Sequence, residues 1–333
     1  MSRMTVMRFL AVFFGMLLFW GGAEVACRLV FNQTVAYDVE MWRYAREVKT
    51  TGLTPGLRFE HRPHARARLM GVDVAINADG LRDHEFLRQK SAGIFRIAVI
   101  GDSITFGWGV PQGQAYPQQL ELLLNQQRPL GPQIAFEVIN FGVGNYTADD
   151  AAAMLQHKAL SYDPDLIIYG AFINDAETPR ETVGSPSLLR HSLAAVLVWS
   201  RLDRLWRQLG WRDDYQEYYL GLYRRHGEGR QRVRDALQRM AKASRQKRVP
   251  MVVALLPELH DPASDPFVSV RKFYHQAAVE SGALFIDLHD SLPDNDRQRF
   301  WVSADDAHPN SEACDYFARA IIDQLPWAEV AQP

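Results

Sequence analysis

From Arg96 onward, short apolar runs alternate with longer stretches of helical spacing, and this alternation restricts the fold more than any other feature of the chain. The runs are residues 97–100, 136–139, 166–169, 249–256 and 283–288. Each is rich in β-branched and aromatic residues and bounded by turn signals, the pattern of a strand buried on both faces. Helical candidates lie at 117–127, 148–160, 229–247, 268–281 and 311–325. Strands alternating with helices predict an α/β fold, a three-layer α/β/α sandwich around a five-stranded parallel sheet. Ligands bind such sheets beyond the carboxyl ends of the strands. The chemistry is therefore to be sought in the turns that follow the runs.

The chain's 333 residues allow one large or two modest domains, and the 47 % apolar residues supply a sizeable core. A formal net charge of −2 gives no surplus of Lys and Arg for phosphates, so no nucleic-acid partner is expected. The two cysteines, Cys27 and Cys314, form neither a disulfide framework nor a metal-ligand spacing.

The first 31 residues stand apart. Arg3 and Arg8 precede an uncharged run over 9–23, FLAVFFGMLLFWGGA. Counted back to Met4, with Arg8 snorkelling, the run reaches the ~20 residues a bilayer span needs. Glu24 and Arg28 follow one helical turn apart, where they can pair. Arginines before the span predict an N-terminus inside and the remainder outside. A cleaved signal peptide is the competing reading, with its small-residue site at 21–23 or 24–26. Glu24 fits such a site poorly and the apolar pattern resumes at Leu29-Val30-Phe31, which favours an uncleaved signal anchor.

Residues 32–94 have no strong helical period and read as an extension packed on the main domain, with short β patterns at 65–69 and 72–76 and a turn at Asn77-Ala78-Asp79-Gly80. His61, His64 and His84 are spaced too loosely for a metal site and read as surface or packing residues. Residues 95–333 form the main domain. A helical insertion at about 176–228 interrupts it, bearing Trp199, Trp206, Trp211, Tyr215, Tyr218, Tyr219 and Tyr223. Aromatics at helical spacing, as over 188–209, are first of all core. A long insertion near a strand's carboxyl end also suits a lid or a substrate-binding wall.

Four short motifs carry the chemistry. Gly101-Asp102-Ser103 follows the first run, where a tight turn can expose the hydroxyl and aim backbone N–H groups at one point. The glycine-rich stretch Asn140-Phe141-Gly142-Val143-Gly144-Asn145 follows the second. Phe172-Ile173-Asn174-Asp175 follows the third and offers an uncharged side-chain donor in Asn174. Asp305-Asp306-Ala307-His308 precedes the last helix, and Asp305 can reach back to fix the His308 tautomer. Asp306 competes for that role, but the three-residue step favours Asp305. A metal reading of Asp102, Asp175, Asp305, Asp306 and His308 yields to turn and capping roles for Asp102 and Asp175, so no metal or cofactor is expected.

In this order the motifs resemble the SGNH (GDSL-type) hydrolase family over about 95–325. The resemblance implies a flavodoxin-like sheet, Ser103 as nucleophile, His308 as base and Asp305 as its partner. It implies an oxyanion hole from the N–H of Ser103, a backbone donor of the second motif and Asn174. Where the family has Asn-x-Gly-x-x-Gly, the last slot here holds Asn145 while Gly144 comes one residue early, so Asn145 is the positional match and Gly144 the alternative. Asparagine tolerates a left-handed backbone better than most residues. Phe172 stands where the third motif has glycine and narrows the expected pocket. FRIAVIGDSITFGWGV also looks like membrane-anchored bacterial relatives, implying a single-pass inner-membrane protein with its catalytic part in the periplasm. The expected activity is hydrolysis of acetyl or short acyl esters on a cell-surface glycan, a lipid or a small molecule. O-acyl transfer to a polysaccharide through the same triad is the alternative, and a catalytically silent envelope-assembly module is a third reading.

Overall fold

The computed structural model describes residues 3–31, 37–178, 192–209, 213–260, 265–293 and 297–331. The chain begins with a long apolar helix α1 (Arg3–Phe31) and a second helix α2 (Tyr37–Glu47). Two small antiparallel pairs follow: β1 (Lys49–Thr50) with β2 (Glu60–His61), and β3 (Arg66–Leu69) with β4 (Val72–Ala75). The helix α2 is absent from the expectation for 32–94, whose apolar positions are too sparse to show a period. The β3–β4 hairpin falls where the short β patterns lie.

The main domain then runs β5 (Ile94–Gly101), α3 (Ser103–Phe106), α4 (Tyr116–Gln127), β6 (Ala135–Asn140), α5 (Ala148–His157), β7 (Leu166–Ala171), α6 (Leu193–Gln208), α7 (Tyr215–Leu222), α8 (Glu228–Lys247), β8 (Met251–Leu255), α9 (Val268–Ser281) and β9 (Leu284–Asp287). It closes with the pair β10 (Trp301–Ser303) and β11 (Asp306–Pro309), then α10 (Ser311–Gln324) and α11 (Trp327–Val330). The strands β6-β5-β7-β8-β9 lie side by side in that order, each neighbouring pair parallel. This is the predicted five-stranded sheet.

Why the sheet needs helices on both faces is visible in its side chains, which alternate from face to face. Ala98, Ile100, Ile139, Ile167, Tyr169 and Val253 pack on one face with Ala151, Leu155, Leu237, Met240 and Phe273 from α5, α8 and α9. Ile97, Val99, Val138, Leu166, Ile168 and Val252 pack on the other with Leu120, Leu124, Phe317 and Ile321 from α4 and α10. Connections leave β5 toward β6 on one side, whereas β7 lies on its other side. The carboxyl ends of β5 and β7 therefore flank the point where strand order reverses, the crevice in which such sheets bind ligands. A third apolar cluster joins the extension to this crevice: Tyr44, Val48, Leu69, Val74 and Ile76 pack on Phe106 and Trp108, just beyond the end of β5.

The aromatic insertion divides by role. Tyr223 is buried and shares a 2.9 Å hydrogen bond with the Tyr274 hydroxyl. Trp199 is exposed on α6, and Tyr215 and Tyr219 lie on α7. Trp211 and residues 188–191 of the expected helical stretch lie outside the described residues.

Candidate active site

At the carboxyl end of β5 the chain turns sharply into α3. Gly101 is required there, since a Cβ would lie 2.1 Å from the Thr105 hydroxyl and 2.9 Å from the Gly170 carbonyl. Asp102 caps α3 through Oδ1, which accepts from the Ile104 N–H at 2.9 Å. The Ser103 side chain is then held at the floor of a cavity of about 480 Å³. Its Oγ lies 2.9 Å from His308 Nε2.

On the far side of the ring, His308 Nδ1 lies 2.6 Å from Asp306 Oδ1. The same carboxylate accepts from the His308 backbone N–H at 3.0 Å and, through Oδ2, from the buried Trp108 indole N–H at 3.0 Å. Burial alone would raise the Asp306 carboxyl, but the hydrogen bonds and charge of His308 outweigh it and hold it below the ordinary carboxylate value. An ionised carboxylate only accepts, so Nδ1 carries the ring proton and Nε2 is left to accept from Ser103.

This corrects the expectation for Asp305. His308 lies in a strand, β11, where residues two apart share a face, so Asp306 is the carboxylate on the histidine's side. Asp305 sits in the β10–β11 turn, exposed, at the cavity wall. The three-residue step would suit a coiled loop, whereas His308 stands in an extended strand.

The second motif is a shaped turn. Gly142 packs so closely that a Cβ would stand 2.3 Å from the Phe106 nitrogen. Asn140 is buried and donates to the Thr105 carbonyl at 2.8 Å while accepting from the Gly142 N–H. Gly144 and Asn145 differ in their hydrogen bonding. The Gly144 N–H donates to the Tyr44 hydroxyl at 2.9 Å and is therefore engaged. Asn145 adopts the left-handed conformation, φ 65°, and lines the cavity with Ser103. Asn174, in a short 3-10 turn after β7, also lines it and donates from Nδ2 to Asp102 Oδ2 at 2.8 Å. Its neighbour Asp175 accepts from the Phe172 N–H at 3.0 Å and the Tyr274 hydroxyl at 2.8 Å, and burial pushes its carboxyl up to about 7. Asp102 and Asp175 are thus a cap and a turn residue, and no metal-ligating cluster occurs among the described residues.

The extension enters the site, which its sequence did not foretell. Buried Lys49 donates from Nζ to the Gly144 carbonyl at 2.5 Å and to Asn145 Oδ1 at 3.2 Å, over the rings of Tyr44 and Phe59. Burial, reinforced by the Arg58 charge, pushes its amine well below the ordinary lysine value. The Tyr44 hydroxyl meets His61 Nε2 at 2.6 Å, giving that buried histidine a packing role. Arg82 donates to the carbonyls of Phe106, Gly107 and Val110, tying down the loop after α3. From α2, Met41 lines the cavity, and Tyr37 stacks on His308 with centroids 5.8 Å apart and planes at 28°. Opposite, the cavity wall is aromatic and acidic. Tyr219 donates to Glu177 at 2.9 Å and Tyr215 to Glu258 at 3.2 Å, while His260 lies against Glu258 with the Tyr215 ring 4.3 Å from its own. Phe172 completes that wall.

A hydroxyl, an imidazole and a carboxylate joined in one line, beyond the end of a doubly covered parallel sheet, define a hydrolase of the SGNH class. The GDSL-like Lipase/Acylhydrolase family matches residues 99–315, and the chain belongs to it. Among solved structures it is similar to TesA, at 15 % identity and TM-score 0.45, covering 69 % of this chain and 98 % of that one. It is also similar to LAE5, an alpha/beta hydrolase enzyme from the metagenome of Lake Arreo, Spain, at 18 % identity and TM-score 0.45, covering 73 % and 97 %. A third is Axe2, an acetylxylan esterase from Geobacillus stearothermophilus, at 16 % identity and TM-score 0.43, covering 74 % and 98 %. No curated protein matches the chain.

Proposed function

We propose that this enzyme is a serine esterase that removes acetyl or short acyl groups from a glycan, with Ser103 as nucleophile, His308 as base and Asp306 as the carboxylate behind it. The observation that carries this reading is the unbroken line Asp306–His308–Ser103, which ends inside the cavity. Ser103 Oγ attacks the ester carbonyl as its proton passes to Nε2. The imidazolium so formed faces the Asp306 charge. The N–H groups of Ser103 and Asn145 and the Asn174 amide stabilise the oxyanion, each such donor being worth about 10²–10³ in rate. Nε2 returns the proton to the departing alcohol, and water releases the acyl group by the same steps.

The aromatic faces of Tyr37, Tyr215 and Tyr219, beside the carboxylates of Glu177 and Glu258, support a sugar as the alcohol part. The ring's C–H face packs on the aromatics and its hydroxyls donate to the acids. Transfer of the acyl group to a second glycan hydroxyl is the other reading, and the Glu258–His260 pair favours it, because it places a second imidazole–carboxylate on the same wall. The N-terminal helix is long and apolar enough to cross a membrane, and its side chains are exposed through the apolar run. We read 1–31 as an uncleaved single-pass anchor of a bacterial inner membrane, 32–94 as an extension that completes the site, and 95–333 as a periplasmic hydrolase domain.

The test is release of p-nitrophenol from acetyl and longer-chain esters by wild type beside Ser103→Ala. Serine-dependent release, fastest for acetyl, is expected. Full activity in Ser103→Ala would end the assignment. Activity that appears only with an added oligosaccharide acceptor would transfer it to acyl transfer.

A further inference from the structure

The end of the N-terminal helix does more than leave the membrane. Glu24, immediately after the uncharged run, turns its carboxylate onto the start of α6, some 170 residues further on. It accepts from the Ser192 hydroxyl at 2.7 Å and from the Leu193 and Ala194 N–H groups at 3.0 Å each, while Arg28 donates to it at 2.7 Å. These are orphan donors of a helix N-terminus, and a carboxylate from another element satisfies them. α6 is thereby fastened to α1 at Glu24, the first charge after the uncharged run and seven residues before that helix ends at Phe31.

The face α6 turns outward is apolar. Val198, Leu202, Leu205 and Leu209 follow one another at steps of four, three and four, a single stripe along the helix, with Trp199 beside it. These five side chains are 38–56 % exposed. Arg201 is exposed on the flank. Its inner side is taken by α1 and α2, on which it packs. An amphipathic helix with a Trp- and Leu-bearing face and flanking arginine is the kind that lies in a membrane interface with its apolar side among the acyl chains. We propose that α6 is such an in-plane helix, seating the domain on the lipid surface beside its own anchor. The occupant is lipid rather than a second copy, because Glu24 fixes the stripe where the span emerges. This inference rests on reading α1 as a membrane span. Its consequence reaches the site, because α2, the wall that carries Tyr37 and Met41, is built on α6.

The experiment uses the full chain with Cys27→Ser, reconstituted in vesicles of phosphatidylethanolamine and phosphatidylglycerol. One nitroxide is placed at a time by Val198→Cys, Leu202→Cys, Phe13→Cys within α1, or Val279→Cys on the exposed face of α9. Collision rates with dissolved oxygen and with a water-soluble nickel chelate are then read. At 198 and 202 the oxygen-to-nickel ratio is expected about tenfold above that at 279, as for a side chain among acyl chains. If 202 matches 279 while 13 is shielded from nickel, α6 is not seated on lipid although the anchor stands. If 13 also matches 279, the anchor reading fails and this inference with it. Dipolar broadening at 202 that disappears on dilution with unlabelled chain would replace the lipid by a second copy.

Discussion

Replacing Asp306 and Asp305 in turn by asparagine separates the two carboxylates beside His308. Asp306 meets three donors: the ring Nδ1–H, the His308 backbone N–H and the Trp108 indole N–H. An amide has only one accepting oxygen. If that oxygen faces His308, the new NH₂ group confronts the Trp108 N–H, and a buried donor left unmatched costs about 1–3 kcal/mol of stability. If the amide turns round, it donates to Nδ1, drives the ring proton to Nε2 and removes the acceptor that Ser103 needs. In both orientations the charge opposite the imidazolium is gone. Loss of that carboxylate from a Ser–His–Asp line lowers kcat by about 10⁴, or about 5.5 kcal/mol of activation free energy. Asp305→Asn changes an exposed turn residue and should alter kcat by less than about threefold, the scale of an ordinary surface substitution. Initial rates on p-nitrophenyl acetate measure both variants. A collapse of activity in Asp305→Asn, with Asp306→Asn near wild type, would refute the geometric argument.

Lys49→Met keeps the side chain's length but removes the donor that grips Gly144 and Asn145; kcat should fall about 10–100-fold with KM little changed, since a misplaced oxyanion donor acts on the transition state alone. Relief of the buried amine is offset by the Gly144 carbonyl left without its donor, so the same variant should melt close to wild type. Gly142→Ala would drive a Cβ into the Phe106 nitrogen and should cost about 1–3 kcal/mol in a denaturant titration, together with activity, because the serine turn must shift. Asp175 gives a pH signature. Its folded carboxyl titrates at about 7 against an ordinary 3.8, so between those values the unfolded chain loses the proton first and stability falls as pH rises. The full span is worth roughly 4 kcal/mol. Asp175→Asn should flatten that slope in melts from pH 4 to 7, and an unchanged slope would remove Asp175 as its source.

The sheet was legible because strands buried on both faces leave unbroken apolar runs, and no other local structure of that length does so between helices. As proposed site residues, Ser103 and Asn174 were legible from the strand ends they follow, and His308 from the last helix its motif precedes. Asp306 was not, because the choice between it and Asp305 depends on whether His308 lies in a strand, and β11 is four residues of polar sequence. The second motif offers Gly144 and Asn145 alike, and nothing in the sequence marks that the Tyr44 hydroxyl engages the Gly144 N–H. Tyr37, Tyr44 and Lys49 gave no signal. Tyr44 and Lys49 act through contacts across some 100 residues of chain and Tyr37 through its stacking on the distant His308, and α2 hides its period because it buries only Val39, Glu40 and Tyr44.

The place of Lys49 also bears on what counts as a unit of inheritance in this enzyme. The family match begins at Val99, yet the residues that set the shape of the Gly144–Asn145 turn lie upstream of it. A chain cut at that boundary would keep Ser103 and His308 but lose residues 94–98 of the central strand β5, bare Phe106 and Trp108, and release the turn. Transplanting the segment that family resemblance defines would therefore carry the reacting groups but leave behind their calibration. Swaps between relatives should be made at the start of α2, where the machinery of this chain begins.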